Sequence, residues 1–315
     1  VRWSAFLLIA AAVAAAGLAF AFYATNQYYF FAGYVVLQYV VLATAWNILG
    51  GYAGYVNFGS AAFFALGIYS TIALQKLLPL PIPVLILIAG VVAGAVGFGA
   101  GYLTLRLRGV FFAIATLALA VVIQTLVINW DFVGGSRGAY VLRPSEFPLL
   151  GNYMQYLFLV MLALAIVAVA VARLVEQSWL GYGLAAIRDD EAAAEASGVP
   201  TLRLKLIATT LSGAFMGMAG APFPYVVSYV DPASAFNLAY AVNAIAMPMI
   251  GGTTTWIGPV IGALLLGTIQ QVATVTISSV VNLLIVGVVL IAFVILAPNG
   301  IVGLFQSWFG RRARR

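Results

Sequence analysis

The sequence contains no cysteine and no histidine in 315 residues. Without thiols, disulfide frameworks and thiolate metal sites are excluded; without imidazole, the commonest metal ligand and proton shuttle are excluded too. Charge is almost as scarce. Asp, Glu, Lys and Arg together make up 7% of the chain, against roughly a quarter in soluble domains. The sequence also lacks a Gly-x-x-x-x-Gly-Lys-Ser/Thr phosphate loop, so nucleotide hydrolysis is not expected here. What remains is apolar, at 64% of residues. Such a chain reads as an integral membrane protein.

Apolar runs of about 18 or more residues, enough for a helix to cross a hydrocarbon core of about 30 Å, recur along the length. Gly, Pro and polar interruptions divide them into predicted segments at 4–24, 30–49, 55–77, 83–105, 109–130, 152–174, 204–227, 238–250, 257–277 and 280–297. The first run follows Arg2 and has no small-residue cleavage site, so it reads as a span rather than a signal peptide. The expected fold is an all-α integral membrane protein, one polytopic domain over 1–315, with about 8–10 transmembrane helices.

Basic residues set the orientation, because cytoplasmic loops carry the excess of Lys and Arg. An inside N-terminus puts Arg2, Arg106, Arg108, Arg173, Arg188, Arg203, Lys205, Arg311, Arg312, Arg314 and Arg315 in the cytoplasm, leaving Lys76, Arg137 and Arg143 outside. Both termini are then cytoplasmic, in a multi-pass protein of a bacterial-type inner membrane. The basic tail at 305–315 reads as an anchor on anionic lipid, not a nucleic-acid contact, since it has no aromatic interleaving.

Two segments are interrupted in a similar way. Asn47 to Gly67 and Met247 to Gly267 each place a Gly-Gly pair, Gly50-Gly51 or Gly251-Gly252, after an apolar run, and each continues into a glycine-spaced helix. They read as corresponding parts of two pseudo-repeated halves with broken or re-entrant segments. Paired interruptions of this kind point to a transport path, although glycines also let membrane helices pack closely. The segment 238–250 is short for a full crossing and reads as a half-helix or re-entrant element. Ionisable residues are missing from the centres of the predicted spans, which argues against an ion-coupled carrier. Neutral groups remain, and Asn47, Asn57, Ser60, Thr116, Asn243 and Thr253 are candidates for the path or for hydrogen bonds between helices. The loop from Trp130 to Pro148, with its GGSRG, reads as an extracytoplasmic turn or a flexible rim.

Five of the eight acidic residues fall between Glu176 and Glu195. Residues Leu184 to Ser197 favour a helix, which Gly198-Val199-Pro200 would stop. Within the cytoplasmic loop at 176–203, an acidic helix suits a protein partner better than an anionic lipid surface.

The stretch EAAAEASGVPTLRLK resembles the cytoplasmic loop of ABC-importer permeases, with Glu191, Ala192, Ala193, Glu195 and Gly198 in the segment that enters a cleft of the ATPase. Further stretches follow in order: LATAWNILGGYAGYVNFGSAAFFALGIYS, RLRGVFFAIATLALAVVIQTLVINWDFVGGSRG, IRDDEAAAEASGV, MIGGTTTWIGPVIGALLLG and FVILAPNGIVGLF. Over about 40–310 the chain is similar to the LivM-like permeases of branched-chain amino acid ABC importers. The resemblance implies coupling through 184–198, including Arg188, Asp189 and Asp190, while the paired interruptions point to a path near Gly50, Gly51, Gly251 and Gly252. It also implies a second permease subunit (a LivH-like paralogue in preference to a second copy), two cytoplasmic ATPase subunits and an extracytoplasmic binding protein. ATP and Mg would be held by those ATPases, with no cofactor or metal bound by this chain.

The sequence departs from that pattern. Gly54-Tyr55-Val56-Asn57-Phe58-Gly59-Ser60 stands where the family commonly has Gly-Gln-x-Ser-x-Gly-His, and Thr253-Thr254 interrupts the second-half glycine pattern. Tyr55 could narrow the path, stack on a planar solute or simply pack. Relatives also carry urea, short amides and aromatic carboxylates, so the expected solute is a branched-chain amino acid or a related small polar molecule. The alternative from another class is a stand-alone channel or facilitator for a neutral solute such as urea.

Overall fold

The computed structural model describes residues 3–24, 26–142, 152–276, 284, 287–288, 290–293 and 300–304. Arg2, Arg143, Glu146, the basic tail and most of the predicted span 280–297 lie outside the described residues. Helices α1 (Trp3–Tyr23), α2 (Gln27–Ala53), α3 (Ser60–Leu77), α4 (Ile82–Thr104), α5 (Val110–Ile128) and α6 (Tyr153–Glu176) come first. Two short helices follow, α7 (Trp179–Asp189) and α8 (Glu191–Ala196). The chain then continues through α9 (Thr201–Gly220), α10 (Phe223–Val227), α11 (Pro232–Ala235), α12 (Leu238–Gly251) and α13 (Ile257–Thr276). Among the described residues nine helical stretches are long and apolar enough to cross a membrane, with α9–α10 and α11–α12 each counting as one broken span. The protein is an all-α, multi-pass membrane protein.

Helix α2 forms the axis of the core and is buried almost throughout its second half. It packs against α6, α9, α12 and α13, while α4 lies along α9. Water drives little of this inside a bilayer, so the crossings depend on close van der Waals fit between small residues. A Cβ on Gly217 of α9 would strike the Ala93 side chain and the Ala89 carbonyl of α4, and one on Gly67 of α3 would strike the Gly217 carbonyl. By contrast, α1 and α5 turn Leu7, Leu8, Phe111, Ile114 and other large apolar side chains outward.

The interhelical contacts sort the loops onto two ends. At one end, segments 54–59, 105–109, 177–200 and 252–256 meet, shown by Tyr55 on Glu191, Lys205 on the Leu105 carbonyl and Gly51 against Thr253. At the other, Lys76 donates to the Phe132 carbonyl, and strand β1 (Ala139–Tyr140) pairs antiparallel with β2 (Tyr229–Val230). This alternation is what successive crossings require. Arg106, Arg108, Arg188 and Lys205 all belong to the first end, which the charge rule assigns to the cytoplasm.

Three expectations need correction. Gly50-Gly51 does not break a helix: α2 runs on to Ala53 and ends at Gly54, whose φ of 75° is the left-handed cap. The pair serves packing instead, with Gly50 beneath the Trp46 ring and Gly51 against the Thr253 carbonyl. In the second half, Gly252 at φ 120° does leave the helix. Segment 238–250 is not an isolated half-helix but the inner part of the broken span Pro232–Gly251, entered through α11, where Asp231 and Ser234 form a capping box. The described part of the outer loop is no loose rim, because Tyr229 donates to the Arg137 carbonyl and Val141 to the Ser228 carbonyl.

Among the described residues, the ionisable groups of the spans sit near helix ends. The guanidinium of Arg173 is fully buried among the rings of Trp3, Phe6 and Trp256, at 4.6, 4.7 and 5.3 Å from their centres. Close by, Glu176 accepts from the Trp256 amide at the start of α13 and from the Tyr52 hydroxyl at the end of α2. A carboxylate at a helix N-terminus is favoured by both the free amides and the dipole, so this pair ties α1, α2, α6 and α13 together beside the island.

Candidate coupling surface and translocation path

The island is built from two helices rather than the predicted single one over Leu184 to Ser197. Helix α7 buries Leu180, Leu184 and Ile187 along one stripe and ends at Asp189. Asp190 then takes an extended conformation, and its carboxylate accepts from the Ala192 and Ala193 amides at 2.9 and 3.0 Å. Aspartate competes for backbone donors in this way and is a preferred N-cap, so an acid in mid-island divides the helix. At the far end the Val199 amide reaches the Ala194 carbonyl and the Gly198 amide the Glu195 carbonyl, with Gly198 at φ 86°. That is a Schellman cap, which calls for glycine at the left-handed position.

Ala194 is the buried residue of α8; Ala192, Ala193, Glu195 and Gly198 are exposed, as are Arg188, Asp189 and Asp190. Two exposed residues were missed by reading for charge: Trp179 and Tyr182, which share the outer face of α7. Aromatics in an otherwise small and charged island were the available signal.

Glu191 turns inward. Its side chain is 12% exposed and that of Lys205 is 4% exposed, with 2.6 Å between Lys205 Nζ and Glu191 Oε1. Tyr55 donates to Glu191 Oε2 at 2.5 Å, and its hydroxyl oxygen accepts from Lys205 at 3.0 Å. The third ammonium hydrogen of Lys205 goes to the Leu105 carbonyl at 3.2 Å, so all three donors are used. Arg108 adds longer contacts to Glu191 and Glu195 at 3.6 and 3.7 Å. Burial pushes the Glu191 carboxyl up, but hydrogen bonds from Lys205 and Tyr55 and the charges of Lys205 and Arg108 outweigh it, leaving the group below its ordinary range. Burial and the adjoining carboxylate push the Tyr55 phenol up, so it stays a donor.

Most path candidates are engaged in structure. Asn57, Ser60 and Thr116 form one knot: the Asn57 side chain accepts from the Gly59 amide, its carbonyl accepts from Ser60 and Trp46, and Thr116 accepts from the Phe58 amide. Asn243 links three helices, donating to Tyr39 of α2 and accepting from Gln270 of α13. Asn47 is buried against Gly51, and Gly251 lies against the Gly258 carbonyl. The two interrupted segments touch where Gly51 meets Thr253. Tyr55 lies two residues before Asn57 in the same interruption, and its hydroxyl is turned to Glu191 of the island.

Residues 28–294 match the family described as "Branched-chain amino acid transport system / permease component". The chain is 29% identical, over 257 residues, to the high-affinity branched-chain amino acid transport system permease protein LivM of Escherichia coli, covering 74% of this chain and 60% of that protein. The LivM of Salmonella typhimurium matches to the same extent. A protein of Methanocaldococcus jannaschii, named "Probable branched-chain amino acid transport permease protein LivH", is 24% identical over 264 residues, 78% of this chain and 82% of that one. The chain thus spans about 60% of the length of the two LivM proteins, less than two thirds. No solved structure matches it. With the profile of the family running through nearly all the spans, the chain belongs to the permease components of branched-chain amino acid transport systems.

Proposed function

We propose that the chain is the membrane-spanning permease subunit of an ATP-driven importer for branched-chain amino acids or a related small polar solute. Its partners would be a second permease subunit, two cytoplasmic ATPases and an extracytoplasmic binding protein. The observation that carries this reading is the exposed, internally capped α7–α8 surface, an acidic platform on the cytoplasmic end of an otherwise apolar bundle. ATP would be hydrolysed on the partner subunits, and their closure would reach this chain as a push on α7–α8 that exchanges outward-open and inward-open arrangements.

The test is Ala193→Arg, which adds bulk and charge to an exposed position without touching the core. Co-purification of the ATPase subunits and ATP-driven uptake of radiolabelled leucine should both fall, with membrane insertion intact. Retained co-purification and ATP-driven import in this variant would remove the docking assignment. Passive solute flux through vesicles of the purified chain alone would replace the proposal with a stand-alone facilitator.

A further inference from the structure

The inward turn of Glu191 gives the island a mechanical link that docking alone does not require. Four elements converge on one buried knot: Glu191 from the first turn of α8, Lys205 from the first turns of α9, the Leu105 carbonyl at the end of α4, and Tyr55 from the interruption between α2 and α3. The interruption at 54–59 has no regular helix of its own to hold it. Its far side is pinned to the bundle through the Asn57 carbonyl to Trp46 and the Phe58 amide to Thr116. Its near side is held to the island by the Tyr55 hydroxyl, and Gly54 lies close beside Arg188, where an added Cβ would be 3.1 Å from that side chain. The Tyr55 ring meets Phe112 of α5 edge-on at 5.1 Å, so movement of Tyr55 has a packed partner to displace.

We propose that Tyr55, Glu191 and Lys205 form a transmission latch through which displacement of α8 moves the interrupted segment 54–59, and with it the contact between Gly51 and Thr253 where the two broken segments meet. Tyr55 and Lys205 are positioning residues that act by fixing α8 to the interruption. The charges suit a link that must not slip. A buried ammonium with all three hydrogens donated and a carboxylate bonded at both oxygens leave no equally good alternative arrangement nearby. A surface pair such as Arg108 with Glu195 could break and re-form with little consequence. The inference rests on the reading of α7–α8 as an ATPase-docking surface, and the experiment separates the two.

The chain has no native cysteine, so single cysteines report cleanly in the assembled complex. Ala192→Cys lies on exposed α8 and Val56→Cys on the exposed side of the interruption. Maleimide labelling is followed in membranes containing the co-expressed ATPase and permease subunits, with and without ATP and vanadate. Protection of Ala192→Cys by the ATPases reports docking. A change of about fivefold or more in Val56→Cys labelling on nucleotide trapping, the low end of allosteric coupling, reports transmission. In Tyr55→Phe and in Glu191→Gln the first effect should persist and the second should disappear; Tyr55→Phe keeps the ring on Phe112, so a packing defect is not the cause. Docking retained with the Val56→Cys change undiminished in both variants overturns the latch alone, as does a Val56→Cys rate that never responds to nucleotide. Absence of protection at Ala192→Cys overturns the docking reading and the latch with it.

Discussion

Replacing Gly262 with alanine should open the seam between α12 and α13. An added Cβ would lie 1.8 Å from the Met247 carbonyl oxygen, whereas real Cβ atoms essentially never come within 3.0 Å of such an atom. The helices must therefore separate by at least 1.2 Å at that point, the difference between the two distances. The obstacle is backbone, so no rotamer change relieves it. The same seam holds Gly251 against the Gly258 carbonyl and Gly258 against the Gly252 carbonyl, so the opening spreads along both helices. A radial gap of 0.5–1 Å already forfeits roughly a quarter to a half of each dispersion contact. With overpacking costs of about 1–3 kcal/mol, Gly262→Ala should sit at the upper end, near 3 kcal/mol. The control is Gly99→Ala in α4, where nothing lies within 4 Å of the added atom, and where alanine should be neutral or stabilising by up to about 1 kcal/mol. The assay is the unfolding midpoint in mixed micelles for wild type and both variants. If Gly262→Ala is as stable as Gly99→Ala, the helices do not approach as described and the packing role of this glycine series is wrong.

Two further predictions concern the island. The Glu191 carboxyl is held below its ordinary pKa in the folded protein, so its contribution to stability is fully present above the unfolded value of about 4.3 and is lost as pH falls through the folded value. Thermal melts of wild type should therefore lose stability at acid pH along a slope that Glu191→Gln flattens, and parallel slopes would contradict it. Gly198→Ala meets no atom within 4 Å but must hold φ 86°, a conformational cost of about 1 kcal/mol. Hydrogen exchange at the Val199 amide, which closes the Schellman cap, should accelerate several-fold in that variant, and unchanged protection would show that the cap does not depend on glycine.

The island shows how far sequence reading went and where it stopped. Its acidity, helix-forming composition and Gly198-Val199-Pro200 stop were legible because capping and propensity are local. The division at Asp190 was legible in principle, since aspartate at an N-cap is a local signal, but the alanine-rich surroundings outweighed it. The inward turn of Glu191 was not legible: its partners Tyr55 and Lys205 lie 136 and 14 residues away in sequence, and no periodicity relates them. The same holds for Gly50-Gly51, whose composition fits both a break and a close crossing. The structure decides against the break: α2 runs on to Ala53, with Gly50 beneath the Trp46 ring of its own helix and Gly51 against the Thr253 carbonyl.

Scarcity of charge and repeated apolar runs determined an all-α membrane protein without reference to any contact, because a bilayer leaves a helical chain few other ways to satisfy its backbone. Charge along the chain assigned the island to the cytoplasm for an equally general reason. The tertiary structure decided which polar groups meet: Thr116 with the Phe58 amide, Asn243 with Gln270, and Glu191 with Lys205 and Tyr55. Such pairings depend on helix rotation and depth, set by the packing of distant surfaces. Tyr55, for which the sequence left narrowing of the path, stacking and packing open, lies in the structure beneath the island with its hydroxyl on Glu191.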